Sequence, residues 1–226
     1  MFDQLKKNSV SSANQLKDNW RVRFYNPEGK GIRVVFVGNS MTLHGVSEEI
    51  GWNRCCGMAA SSEDKDYVHI LMNKISQKQE DAAFCICQVS DWERNYKTGE
   101  DTFQFFEEAR DFNADVIIAR FIENCPAQDF DEELFKEQYS MLLDYLDGES
   151  KAKMIITDGF WRHPGDKAIN EVANMRKADF VSLGDLGERD EMKAIGLFEH
   201  TGVANHPGDL GMQTIAERIW EKIDKI

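Results

Sequence analysis

Short apolar runs rich in β-branched residues recur along the sequence, separated by longer stretches of mixed polarity. Runs of this length and composition are typical of buried strands in a parallel sheet. The runs occupy residues 32–38 (IRVVFVG), 83–89 (AFCICQV), 115–121 (DVIIARF), 153–157 (KMIIT) and 179–183 (DFVSL). They predict five buried strands.

Helical spacing of apolar residues fills several of the stretches that separate or follow these runs. The pattern is clearest in the last stretch, where apolar residues recur every three or four positions as in an amphipathic helix. The helical positions are Tyr67, Ile70, Leu71, Lys74 and Ile75; Phe103, Phe106, Ala109 and Arg110; Leu134, Phe135, Tyr139, Leu142, Leu143 and Leu146; and Met212, Ile215, Ala216, Ile219 and Ile223. Alternation of strands and helices predicts a three-layer α/β/α sandwich around a parallel sheet.

No linker, repeat or low-complexity segment divides the 226 residues. We therefore expect one domain over residues 1–226. The first 30 residues are polar and end in the turn-rich sequence NPEGKG. We expect them to form an N-terminal extension packed on or near this domain.

The charge balance excludes some partners. Asp and Glu outnumber Lys and Arg by 40 to 27, a net charge of −13. Nucleic-acid binding depends on clustered basic residues, and an acidic field disfavours anionic membranes and, more weakly, strongly anionic substrates. Neither a secretory signal nor an apolar run of membrane-spanning length is present in the sequence.

The number and spacing of the cysteines indicate whether the protein works in an oxidising or a reducing cellular compartment. The five cysteines show no disulfide framework, and Cys85 and Cys87 point the same way in one predicted strand. No Cys/His pair with zinc spacing follows them, so we interpret them as buried core thiols. The sequence predicts a cytoplasmic protein, with no nucleic-acid or membrane partner, and leaves its oligomeric state open.

Residues with catalytic side chains follow the carboxyl ends of the predicted strands, where α/β sheets usually form their active sites. Ser40 follows the first strand in GNSMTLHG, and Asn124 follows the third. A serine at this place can be a nucleophile or a helix N-cap, and the asparagine can stabilise an oxyanion or close a turn. His206 precedes Pro207 at the start of the last helix, where it can reach the first strand or be merely structural.

Taken together, VVFVGNSMTLHG and HPGDLGMQTIA resemble the SGNH (GDSL-like) hydrolase superfamily, whose blocks begin with a GDS or GNS serine and end with a DxxHP-type histidine. The resemblance covers the chain from about Arg33 onward. A GMAAS loop at residues 57–61 resembles, more narrowly, a bacterial acetylesterase-like branch. The resemblance implies a flavodoxin-like fold with five parallel strands in the order 2-1-3-4-5.

The resemblance also implies residue roles. Ser40 attacks an ester carbonyl, and His206 takes its proton and later protonates the leaving alcohol. The Ser40 backbone N–H and the Asn124 side chain bind the oxyanion. The family's second block usually adds a glycine N–H, but the chain reads QVSDWE there, so we predict a backbone N–H near Ser90 or Asp91, with Gly57 as the weaker choice.

A second departure concerns the residue that orients the histidine. The family places an aspartate three residues before it, and here that residue is Val203. A Ser-His dyad with a backbone carbonyl partner is our first choice. The alternatives are Glu199, Glu93 and Asp158.

The implied substrate is a short-chain, most simply acetyl, ester on a small molecule or oligosaccharide. Asn39, Trp92 and Trp161 are the predicted substrate contacts, although tryptophans, Trp52 included, are equally common in cores. Neither a cofactor nor a metal is implied. Two alternatives stay open: an acyltransferase acting on a sugar hydroxyl, and an inactive glycan-binding module of the same fold.

Overall fold

The computed structural model describes residues 20–148 and 151–223. Its centre is a six-stranded sheet in the spatial order β1-β3-β2-β4-β5-β6. The strands are β1 (Val22–Tyr25), β2 (Arg33–Gly38), β3 (Ala83–Gln88), β4 (Val116–Arg120), β5 (Lys153–Thr157) and β6 (Asp179–Val181).

The five predicted strands are confirmed as β2 to β6, and the pairings among these five are all parallel. Among themselves they follow the order that the resemblance implies. The prediction missed β1, which pairs antiparallel with β3 and puts Val22 opposite Cys87. This edge strand belongs to the predicted N-terminal extension; residues 1–19 of that extension lie outside the described residues.

Helices cover both faces of the sheet and complete the predicted three layers. They are α1 (Tyr67–Lys78), α2 (Ser90–Arg94), α3 (Glu107–Asp111), α4 (Glu132–Asp147), α5 (Asp166–Arg176), α6 (Thr201–Ala204) and α7 (Asp209–Ile223). The apolar sides of α1 and α7 pack on one face, and those of α4 and α5 pack on the other. The predicted helical stretch around Phe103 is instead a 3-10 segment, Tyr96–Phe106, followed by the short α3.

The predicted core thiols are confirmed. Cys85 and Cys87 are free and fully buried in β3, and burial raises the pKa of both thiols. Within the described residues, no helix is both long enough and apolar enough to cross a membrane.

Because parallel strands run the same way, the carboxyl ends of β2, β3 and β4 meet at one edge of the sheet. The segments that follow these strands, together with the loop between α6 and α7, surround a common cavity.

Candidate active site

Ser40 is held out of the sheet by a tight turn at the end of β2. The N–H groups of Thr42 and Leu43 both donate to the Asn39 carbonyl, at 2.9 and 3.0 Å. A Cβ atom on Gly38 would lie 1.8 Å from the Thr42 hydroxyl, so only glycine fits where the turn begins. Ser40 therefore stays partly exposed while both of its neighbours, Asn39 and Met41, are buried.

His206 approaches Ser40 from the loop between α6 and α7. Its Nε2 lies 2.9 Å from the Ser40 Oγ, although the two residues are 166 positions apart in sequence. Its Nδ1 lies 2.7 Å from the carbonyl oxygen of Gly202. A carbonyl only accepts, so the proton belongs on Nδ1 and the lone pair of Nε2 faces the serine hydroxyl.

The orienting group of His206 is therefore a backbone carbonyl, the first choice among the sequence-based alternatives. Val203 cannot serve, since its side chain is buried in a small cluster with Trp52 and Met58. Asp158 is committed elsewhere, accepting hydrogen bonds from the Ser182 hydroxyl and the Leu183 backbone.

Burial sets the charge of the histidine. Desolvation lowers the pKa of His206 from 6.5 to about 4, against the opposing hydrogen bond to Gly202. The edge of the ring packs against Trp161, with ring centroids 5.2 Å apart. At neutral pH the imidazole is uncharged, which is the state that accepts a proton.

Asn124 follows β4 and lines the same cavity as Ser40 and His206. Its Nδ2 donates to Glu93 Oε2 at 2.6 Å, and its backbone N–H donates to Glu93 Oε1 at 3.3 Å. The amide carries two protons on Nδ2, and the carboxylate uses one of them. The other proton has a long hydrogen bond, 3.5 Å, to the hydroxyl of Ser90, which also lines the cavity.

Beneath the cavity lies a buried charged network that the sequence analysis did not predict. The guanidinium of Arg120 donates to Glu123 at 2.7 Å and to Asn39 Oδ1 at 2.9 Å. The Asn39 amide donates in turn to Glu93 at 3.0 Å and to Glu123 at 2.6 Å. Asn39 thus joins the two carboxylates, while Arg120 contacts Glu123 and Asn124 contacts Glu93.

The two carboxylates differ in acidity. Burial raises the pKa of Glu93 to about 7, with a further contribution from the nearby charge of Glu123. Burial acts in the same direction on Glu123, but the charge of Arg120 and the Phe160 N–H outweigh it and hold the pKa of Glu123 below its usual value. Glu93 is therefore the member of the network that titrates near neutral pH.

Hydrogen-bond donors that could bind an oxyanion lie beside Ser40 in the cavity above this network. Within the described residues, the Ser40 N–H has no hydrogen-bond partner. The Ser90 N–H, one of the two predicted second-block donors, is already committed to the Gln88 side chain at 2.9 Å. Asp91, whose backbone N–H was the other predicted donor, does not line the cavity.

The cavity has a volume of about 520 Å³ and contains Ser40, Asn124 and His206, which the structure brings together as the sequence predicts. Two of the three predicted substrate contacts are elsewhere. Asn39 is fully buried and bonded to the charged network, so it shapes the site from below. Trp92 is fully buried among the aromatic rings of Phe121, Phe135 and Tyr139.

The burial of Trp92 has a local cause. Trp92 lies on α2, whose first turn follows β3 directly, so the tryptophan faces the core instead of a loop. Trp161, the third predicted contact, is half-buried beside His206 but does not line the cavity. Trp52 is buried as well.

Sequence reasoning missed the roles of Arg120 and Glu123. The signal available was an arginine that ends an otherwise apolar run, three residues before a glutamate. A buried strand ending in a charged residue needs a partner, and a carboxylate at this spacing supplies one.

No profile of a known protein family matches the sequence, and no curated protein sequence matches it. Solved structures do match. The psychrotrophic esterase EstA from Pseudoalteromonas sp. superposes with a TM-score of 0.58 at 9% identity, over 85% of this chain and 97% of that one. A two-domain esterase (CEX) active on acetylated mannans superposes with a TM-score of 0.54 at 16% identity. The match covers 88% of this chain and 50% of the esterase.

A third similar structure is a member of the lipolytic protein G-D-S-L family from Veillonella parvula. It superposes with a TM-score of 0.50 at 14% identity, over 86% of this chain and its own full length, 100%. At these identities the likeness concerns the fold, and the chain shares that fold with all three.

Proposed function

On the fold of the SGNH, or G-D-S-L, hydrolases, we propose that this protein is a serine esterase in which Ser40 is the nucleophile and His206 is its base. One observation carries the proposal: Ser40 Oγ lies 2.9 Å from His206 Nε2, while the Gly202 carbonyl fixes the proton on the other ring nitrogen. The geometry is that of an activated nucleophile and its base.

The reaction follows from these contacts. As Ser40 Oγ bonds to the ester carbonyl carbon, its proton passes to His206 Nε2. When the tetrahedral intermediate collapses, the bond from that carbon to the alcohol oxygen breaks, and His206 returns the proton to the alcohol. Water repeats the sequence on the acyl-serine and releases the acid and free Ser40.

The oxyanion of that intermediate is placed near the Ser40 N–H and the Asn124 Nδ2. The Ser40 N–H has no partner within the described residues, and the second amide proton of Asn124 makes only the long bond to Ser90, which an oxyanion can replace. Donors fixed before the reaction stabilise the transition state most, because they need no reorganisation when charge develops.

Glu93 acts as a positioning residue for Asn124. By accepting from both the side-chain and the backbone nitrogen, it fixes the amide with Nδ2 instead of Oδ1 towards the oxyanion. An asparagine turned by half a rotation would present an acceptor there and repel the charge.

The proposed substrate is a short-chain ester, most simply an acetyl ester, with carbohydrate as one candidate alcohol. A similar structure is described as active on acetylated mannans, which supports the acetyl and sugar parts of the proposal. Of the aromatic contacts that the sequence predicts, Trp161 lies beside His206, and the exposed Trp20, which was not predicted, lines the cavity itself.

The test compares hydrolysis of p-nitrophenyl acetate with longer acyl esters, for the wild type and Ser40→Ala. We expect acetate to be preferred and Ser40→Ala to lose at least about a thousandfold in kcat. Ser76→Ala, an exposed serine on α1, is the matched control and should keep full activity. Activity that survives Ser40→Ala would contradict the proposal.

Two further outcomes separate the alternatives. Release of p-nitrophenol that accelerates with an added sugar alcohol, with the acyl group recovered on that alcohol, would favour an acyltransferase. A folded wild type with no activity on any ester would favour an inactive binding module.

A further inference from the structure

The cavity that holds Ser40 differs in charge from the rest of the molecule. The chain carries 40 acidic residues, yet no Asp or Glu is among the described residues that line this cavity. The neighbouring depression shares Ile50 and His200 with it but is lined by three glutamates, Glu48, Glu49 and Glu199. The lack of carboxylates is therefore local to the cavity with the serine.

One positively charged side chain, that of Arg94, lines the cavity. Arg94 ends α2 and lines the cavity together with Ser90, four residues earlier on the same face of the helix. Its side chain is 59% exposed, and its nearest carboxylate, Asp91, lies 4.0 Å away. That carboxylate already pairs with Arg21 at 2.6 Å, so the guanidinium of Arg94 has no close partner there.

The other polar groups of the cavity wall add donors. His200 accepts the Val203 N–H on its Nδ1, which leaves its proton on Nε2 as a donor. Gln88, His44 and Asn124 line the same space. Among the described residues of the cavity wall, a ligand meets one guanidinium, several hydrogen-bond donors and no carboxylate. The carboxylates of Glu93 and Glu123 lie beneath the wall, where Asn39, Asn124 and Arg120 contact them.

Resting on the proposed esterase function, we infer that the substrate is an ester whose alcohol part carries a carboxylate, which Arg94 binds. The guanidinium fork matches a carboxylate with two parallel hydrogen bonds. The anion belongs on the alcohol because the proposed acyl group is small and leaves the cavity to the other half of the ester. The guanidinium contacts the carboxylate directly, whereas the exposed glutamates of the neighbouring depression act on it through solvent that screens their charge.

The experiment uses three acetyl esters of one shape and different charge: para-acetoxybenzoate, its neutral methyl ester, and the cationic (para-acetoxyphenyl)trimethylammonium. We expect kcat/KM, normalised to the uncatalysed rate, to rank them anion, neutral, cation. In Arg94→Gln the preference for the anion over the neutral ester should fall by about tenfold, as expected for one charged hydrogen-bonding partner. Arg94→Lys should keep part of the preference for the anionic ester, because lysine retains the positive charge.

Arg189→Gln is the control for the loss of one positive charge, because Arg189 is exposed and lies outside the cavity. It should leave the ranking unchanged, and thermal unfolding should show that all variants fold. A wild type that prefers the neutral or the cationic ester, or an anion preference that survives Arg94→Gln, would overturn the inference while leaving the esterase proposal intact.

Binding gives an independent measurement that needs no turnover. Calorimetric titration of Ser40→Ala with para-acetoxybenzoate should show tighter binding than its methyl ester, and Ser40→Ala/Arg94→Gln should lose the difference. If no ester is hydrolysed but this difference is present, the esterase proposal fails and carboxylate recognition stands. If binding is equal for both esters, carboxylate recognition is overturned.

Discussion

Asn124 provides the most direct test at the scale of single residues. Asn124→Ala removes an oxyanion donor without touching the Ser40–His206 pair, so kcat should fall by about a hundredfold to a thousandfold with little change in KM. Steady-state kinetics on p-nitrophenyl acetate measure both. Asn174→Ala, an exposed asparagine on α5, is the control. A change confined to KM would place Asn124 in ground-state binding instead.

A second prediction concerns pH. His206 must be neutral to accept a proton, and its lowered pKa keeps it neutral down to about 4. Glu93 holds Asn124 best when ionised, and its raised pKa means that this state is lost as pH falls through about 7. We therefore expect kcat/KM to fall in part as the pH drops through about 7 and to be lost as the pH drops through about 4.

Glu93→Gln distinguishes the two steps. Glutamine offers one acceptor where the carboxylate offers two, so kcat should fall by about tenfold and the step near neutral pH should disappear. The acidic step, which belongs to His206, should remain. A wild-type profile with a single step near the ordinary histidine pKa would contradict both assignments.

The three residues that meet at the cavity could be predicted from sequence because each lies at a recognisable place: Ser40 after a strand and a glycine, Asn124 after a strand, and His206 before Pro207 at the start of a helix. Glu93 was considered only as a partner for His206, and its contact with Asn124 went unpredicted. That contact depends on α2 and the end of β4 packing together, which no local pattern encodes. The same packing buries Trp92, which the sequence placed near the substrate.

At the scale of elements, the short helix α6 supplies the partner of His206 that the sequence resemblance assigns to an aspartate at position 203. It presents the Gly202 carbonyl to His206 and turns Val203 into the core. Restoring the family residue with Val203→Asp should therefore give no gain in kcat/KM. It should lower the free energy of unfolding by about 3 kcal/mol or more, because a carboxylate would be buried without a partner.

Urea unfolding measures this cost, and Val203→Asn is the control of equal shape without charge. The gap between the two variants should widen as pH rises, since only the aspartate ionises. A more active Val203→Asp enzyme of unchanged stability would show that His206 accepts a carboxylate partner after all.

The buried strands were predicted because continuous apolar runs mark them. Residues 153–157 were placed without error, and the other runs exceed their strands by one or two residues. Strand β1 was missed because its four residues, VRFY, are mostly half-buried and lie in a polar segment. The stretch around Phe103 has helical spacing, yet folds largely as 3-10 helix, a tighter form that the same spacing does not exclude.

At the scale of the whole molecule, the net charge of −13 predicts that salt stabilises the fold. Like charges repel most in the compact state, and salt screens that repulsion. Raising NaCl from low to physiological concentration should raise Tm by about 3 °C. Scanning calorimetry measures the shift. A Tm that falls with salt would mean that the surface ion pairs outweigh the repulsion.

The long separation between Ser40 and His206 has a consequence for how activity arises. During synthesis the nucleophile leaves the ribosome well before its base, so a partly made chain carries an inert serine. On the proposed function, ester cleavage therefore reports that β2 and the segment after α6 are in contact.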